Sequence, residues 1–351
     1  MTSAFLEKAG GLLNRRFLVA CWFPTFIAAV LALLPRVWVY GIGASWRWWA
    51  GWGPSQDYAG EGSVQTWLVV GSLLMVTLVA YILQAFTRLL VQFYEGYRLP
   101  RGLERWLVAR VAQRWAQLRQ DRREAAQRND LGAYNHLQER LYYEYPDGAA
   151  WLLPTQLGNV LRSAERFSSW AYGMDAPFWW PRLWPLLPEK MQETINDALT
   201  SMLALLNFAT LMVCVAIDSM VYLAACRVPN NGLWAVVALA AGLLIAAVSY
   251  QGAVAQARSH GQQIRAAVDL HRFEVLKTMR HALPKTPQEE RALWAQLSQW
   301  LYNQDRGAVQ ALVYAHGKEE QSEGQAKNAA GASKAKSGGF WAFLKRFLCN
   351  N

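Results

Sequence analysis

Four long apolar stretches punctuate an otherwise polar, arginine-rich chain. They cover residues 17–34, 67–86, 201–225 and 234–250. A spanning helix needs roughly 17–25 apolar residues, so each is a candidate transmembrane segment. The predicted fold class is all-α: a polytopic membrane protein with four transmembrane helices and a helical cytoplasmic region. The first stretch follows Lys8, Arg15 and Arg16, as the core of a signal peptide would. Pro35, Arg36 and Trp38 follow it, however, instead of a small-residue cleavage site, so it reads as a retained span that Pro24 bends.

The third stretch is the most informative. At 100° per residue, Thr200, Asn207, Thr210, Cys214, Asp218 and Tyr222 fall on one face, while leucines, valines and methionines fill the others. An ionisable residue inside a span normally faces protein or water. The cores of the other spans contain no Lys or Arg, so a salt bridge within one subunit is not expected. Asn207, Thr210, Cys214 and Asp218 are therefore the candidate pore or intramembrane polar stripe. Near the outer surface, Asp218 has the alternative role of capping or stapling helices. The fourth stretch repeats Ala238, Gly242 and Ala246 at four-residue spacing, a small-residue stripe that lets another helix come close.

The basic residues orient the spans. They precede the first, follow the second from Arg88 to Arg123, and follow the fourth from Arg258 to Arg280. The positive-inside rule then places residues 1–16, 87–200 and 251–317 in the cytoplasm. It leaves outside an aromatic-rich loop at 35–66, expected to be irregular and anchored in the headgroup layer, and a tight turn at 226–233. Both termini are inside. Residues 318–339 read as a flexible linker and 340–351 as an amphipathic tail that lies on an anionic membrane, docks in a groove or is disordered.

Between spans two and three, Leu103, Trp106, Leu107, Val111, Trp115 and Leu118 recur at helical spacing with arginines among them. A basic helix of this kind beside a bilayer meets anionic lipid. A shorter helix follows through Leu137, Leu141, Tyr142 and Tyr145, and Pro146-Asp147-Gly148 stops it. Beyond span four the helical pattern continues towards Leu283, weakly interrupted by Gly252 and Gly261. Thr286 and Glu289 then signal the start of another helix.

The segment from Leu153 to Pro185 is distinctive. It contains Pro154-Thr155-Gln156-Leu157-Gly158-Asn159-Val160-Leu161-Arg162-Ser163-Ala164-Glu165, then Tyr172-Gly173-Met174-Asp175, then Trp180-Pro181-Arg182-Leu183. After span four come Arg265-Ala266-Ala267-Val268-Asp269-Leu270-His271-Arg272 and Glu290-Arg291-Ala292-Leu293-Trp294. Together these resemble an uncharacterised family of bacterial multi-pass membrane proteins with P-T-x-L-G-N-x-L-R-x-A-E, Y-G-x-D and W-P-R-L stretches. The resemblance covers roughly residues 150–300 and implies the same four-span plan in a bacterial inner membrane. It implies no activity.

Read physically, this segment is a rigid element at the membrane surface. Thr155 caps a helix from Gln156, Arg162 pairs with Glu165, and Trp179, Trp180 and Trp184 sit in the headgroup layer. Asp175 and Arg182 are candidates for a buried ion pair or small anion site. Asn159, Arg162, Glu165, Asp175 and Arg182 are the cytoplasmic interface candidates.

Composition adds exclusions. Charged residues are 17%, Trp number 18, and the net charge is +10. Basic cytoplasmic loops account for that charge, and nucleic acid is disfavoured. The four cysteines (Cys21, Cys214, Cys226 and Cys349) are scattered, with no zinc or disulfide spacing. No GxxxxGK, HExxH, GxSxG or GxGxxG occurs, so no catalytic residue, metal or cofactor is assigned. The expectation is a non-enzymatic homo-oligomer, channel-like or signal-transducing. The alternatives are an enzyme or transporter with a site at the inner interface, and a scaffold for a cytoplasmic protein partner.

Overall fold

The computed structural model describes residues 15–50, 61–226 and 229–303. Among them the chain is helical, without strands, and four helices are long and apolar enough to cross a membrane. Helix α1 (Phe23–Ala50) follows an α-turn at Arg15–Phe17 and a π-helical turn at Leu18–Trp22. Then come α2 (Glu61–Glu95), α3 (Arg101–Gln127), α4 (Leu131–Glu144), α5 (Gln156–Tyr172) and α6 (Ala176–Leu183). The last three are α7 (Glu189–Ala225), α8 (Asn231–Thr278) and α9 (Pro287–Asn303). The linker, the tail and the N-terminal 14 residues lie outside the described residues.

Two compact units emerge. The first contains the described residues up to Ala171 and Leu187–Asp269; the second contains Tyr172–Leu186 and the described residues from Leu270.

Local chemistry sets the helix starts. Thr155 Oγ1 accepts from Gly158 N at 3.0 Å, capping α5 where the sequence places a cap. Asp130 does the same for α4 through Ala133 N, also at 3.0 Å. At α9, Thr286 Oγ1 accepts from Glu289 N, and the Glu289 carboxylate accepts from Lys285 N. One boundary differs from expectation. Pro35 does not end α1, which continues to Ala50, so residues 35–50 are helical and not an irregular loop. Proline removes one ladder bond, and apolar helices keep it when the freed groups find other donors. Beside it, Arg36 Nη1 donates to Ala32 O at 2.6 Å, one residue past Leu31, whose carbonyl loses its α-helical donor at Pro35.

In the first unit, the outward residues of α2 are Trp67, Val69, Val70, Leu73, Leu74, Met75 and Leu78, an apolar face suited to hydrocarbon. Small residues instead mediate contact inside the chain. A Cβ at Gly242 would lie 2.5 Å from Ala216 Cβ, so the small-residue stripe of α8 is taken up by α7 of the same molecule. Gly252 meets Leu205 and Gly261 meets Ala164. These two glycines do not break α8; they let α7 and α5 approach it.

Leu157 and Val160 of α5 join Met202 and Leu206 of α7 and Ala253, Val254 and Ala257 of α8 in one buried cluster. Helices α7 and α8 thus share a core with α5. Tyr94, stacked on Tyr250 at 5.8 Å, packs against it.

The second unit centres on Trp179, fully buried, whose ring lies edge-on to Trp294 at 4.9 Å. Its Nε1 donates to Ser298 Oγ at 3.0 Å. Trp179 is therefore a core residue and not a headgroup anchor; a buried partner for its N–H lets the whole indole leave water. Arg272 lies 4.0 Å over Tyr172 and pairs with Glu290 at 2.7 Å.

Candidate functional site

The polar stripe of α7 meets partners within its own molecule. Asn207 is buried, and its Nδ2 donates to Ala20 O at 2.7 Å. That carbonyl is the one an α-helical N–H at position 24 would take, and Pro24 has no N–H. Asn207 thus supplies from α7 the donor that proline removes from the first span. Cys21 Sγ lies 3.6 Å from the same nitrogen, and Thr25 Oγ1 donates to Cys21 O at 2.7 Å. One turn along α7, Thr210 Oγ1 shares a hydrogen bond of 3.0 Å with Tyr94 OH. Cys214 is an exposed thiol.

Asp218 is paired with Arg36, contrary to the expectation of no salt bridge within one subunit. Arg36 Nη1 donates to Asp218 Oδ2 at 2.9 Å, and Nη2 donates to Oδ1 at 3.1 Å. The guanidinium also lies 4.8 Å over the Tyr222 ring. The continuation of α1 past Pro35 is what brings Arg36 there.

Asn207→Leu should therefore destabilise the spans by roughly 1–2 kcal/mol, because it leaves a buried carbonyl unpaired at similar side-chain volume. Asn207→Leu combined with Pro24→Ala should lose less, since alanine at that position restores a backbone N–H. Unfolding of each variant in detergent measures this; equal losses would show that Asn207 does not replace the missing N–H.

The interface candidates separate into different roles. Asn159 is a buried clamp. Its Oδ1 accepts from Leu153 N at 2.9 Å, and its Nδ2 donates to Leu153 O at 2.7 Å and Thr155 O at 2.6 Å. This fixes the turn entering α5. Arg162 pairs with Glu165 at 3.6 Å, as their spacing predicts, and Nη2 donates to Tyr97 OH. Asp175 and Arg182, both in the second unit, are exposed, so of the two roles expected for them the buried ion pair is not formed. Arg182 instead donates to Phe178 O at 2.7 Å and lies over the Phe178 ring. Intrahelical contacts hold it without a carboxylate.

The sequence reading missed the arginines of α8. Arg258 donates to the buried Glu144 at 2.7 Å. Arg265 is only 5% exposed, and its Nη2 donates to Ser163 Oγ at 2.6 Å and Tyr142 O at 2.8 Å. Tyr142, Tyr143 and Phe167 surround its guanidinium at 4.1–5.1 Å. With Arg272 they recur every seven residues, a spacing visible in the sequence that by itself does not show which groups they meet. A further pair sits nearby: Arg166 hydrogen-bonds Asp147 and holds its carboxyl below the usual carboxylate range.

A search of family models, curated proteins and solved structures finds nothing that matches the chain.

Proposed function

We propose that this is a non-enzymatic protein of a bacterial inner membrane, with both termini cytoplasmic, that transmits the state of its spans to cytoplasmic helices. The observation that carries this reading is the heptad of arginines on α8. Residues seven apart on a helix are only about 20° out of line, so Arg258, Arg265 and Arg272 form one stripe. Arg258 holds α4 through Glu144, Arg265 holds α5 through Ser163, and Arg272 holds α9 through Glu290. The same continuous helix contributes span four. A tilt or rotation of that span is therefore passed directly to α4 and α5, the segments of the same unit that Arg258 and Arg265 grip.

Nanodiscs of short- and long-chain lipids provide the test, because spans adjust tilt to bilayer thickness. Hydrogen exchange in α4 and α5 should change severalfold between them. Unchanged exchange in both helices, with altered exchange in the spans, would overturn the coupling.

One observation favours a second reading, an oligomeric pore. The Asp218 side chain keeps 45% exposure although it is paired, beside exposed Ile217 and Val221. A charged group on such a face favours water or another subunit over lipid.

A further inference from the structure

A cleft with a volume of about 270 Å³ opens between α3, α4 and α5 in the first unit. Trp115, Arg119 and Arg122 of α3 line one side, and Gln138, Tyr142 and Ser163 line the other. Its charge is unbalanced. The one carboxylate in its wall, Asp147, is held in two hydrogen bonds by Arg166. Arg119 stacks at 4.6 Å on Trp115, which orients its guanidinium while leaving its N–H groups to other acceptors. Arg122 spends one nitrogen on Gln138 Oε1, at 2.6 Å.

A third cation stands behind the wall. Arg265 bonds both Ser163 and Tyr142, which line the cleft, yet its Nε and Nη1 are buried without a hydrogen-bond partner. Asp269, one turn along α8, is the acidic group that acts on it. A buried guanidinium with unused donors projects positive potential into the space beside it, where low dielectric strengthens the effect.

We propose that this cleft binds a phosphate-class oxyanion, with Arg119 and Arg122 as its direct ligands and Arg265 as the charge behind them. Paired arginine forks match the oxygens of a phosphate. The volume lies just below the usual range for small-molecule sites, so the occupant is a phosphate with at most a small organic body. A soluble phosphomonoester and the headgroup of an anionic lipid share this chemistry. The site shares Arg265 with the coupling through α8, but its direct ligands lie on α3 and take no part in that coupling.

The test uses the full chain in nanodiscs. In zwitterionic lipid, thermal unfolding is followed while glycerol 3-phosphate is titrated against chloride at matched ionic strength. A parallel series replaces part of the lipid with phosphatidylglycerol. Wild type should show a saturable rise in unfolding temperature. Arg119→Gln/Arg122→Gln should weaken the apparent affinity at least tenfold. Arg119→Lys should fall between, and Arg123→Gln, exposed on the same helix, should match wild type. A rise with glycerol 3-phosphate in neutral discs identifies a soluble ligand; a rise only with phosphatidylglycerol identifies the headgroup. No saturable rise in either series, or a rise of equal affinity in the double variant, would overturn the site.

Discussion

Gly158→Ala should destabilise the protein by about 3 kcal/mol, although glycine to alanine within a helix ordinarily stabilises by about 0.5–1 kcal/mol. The sign reverses because of what the new methyl meets. It would lie 2.4 Å from Glu95 O, with Leu153 Cδ1 and Thr155 Oγ1 each at 3.0 Å. The nearest atom is backbone, at the end of α2, and cannot rotate away. Gly96 faces the same crossing from the other side: its φ is +97°, and a Cβ there would come within 2.2 Å of Pro154 Cγ. Two glycines thus let the end of α2 pass against the start of α5, next to the core that α5 shares with α7 and α8. Gly71→Ala is the control, since nothing lies within 4 Å of its Cβ position. Denaturant titration in detergent micelles should show Gly71→Ala at least as stable as wild type. A Gly158→Ala protein as stable as that control would mean that the crossing relaxes freely.

Much of this architecture was legible because the signals are local. Apolar length gave the four long helices, and Thr155, Thr286 and Pro146 gave helix starts and a stop. The misreadings share one cause: each depended on which distant group a residue would meet. Pro35 reads locally as a helix end, but a proline is tolerated inside an apolar helix, and α1 runs through it to Ala50. Asn207 and Thr210 align by periodicity, yet periodicity cannot tell a subunit interface from a neighbouring span of the same chain. Asn207 in fact serves the carbonyl left by Pro24, 183 residues earlier in the sequence. Asp175 and Arg182 are charges of opposite sign in an aromatic-rich stretch, which suggests a buried ion pair or a small anion site, but both are exposed. Arg265 carries the hardest signal of all, because arginine is almost never buried unless paired. Only the fold reveals the aromatic rings and the Ser163 hydroxyl that receive it.

Arg36→Gln should cost about 1–3 kcal/mol, because it leaves the Asp218 carboxylate without its cation. An unpaired carboxylate within a span costs roughly 2.5–3.5 kcal/mol on insertion scales. Arg36 offsets this with two hydrogen bonds to Asp218, at 2.9 and 3.1 Å. The two side chains keep 28% and 45% exposure, so any water that reaches them lowers the cost towards ~1 kcal/mol. Asp218→Asn leaves the cation, which can still donate to Ala32 O, and should therefore cost less. Arg36→Gln/Asp218→Asn contains no unpaired charge and should recover much of the loss. The double-mutant cycle, measured by unfolding in nanodiscs, should thus give a coupling energy of about 1–3 kcal/mol; additivity within ~0.5 kcal/mol would mean the pair is energetically idle. Ion flux from liposomes adds a functional axis to the same proteins. If Asp218 lines a pore between subunits, Asp218→Asn alters flux in proportion to the charge removed. If the pair is a staple between α1 and α7, the stability cycle retains its coupling while wild type and Asp218→Asn conduct equally little.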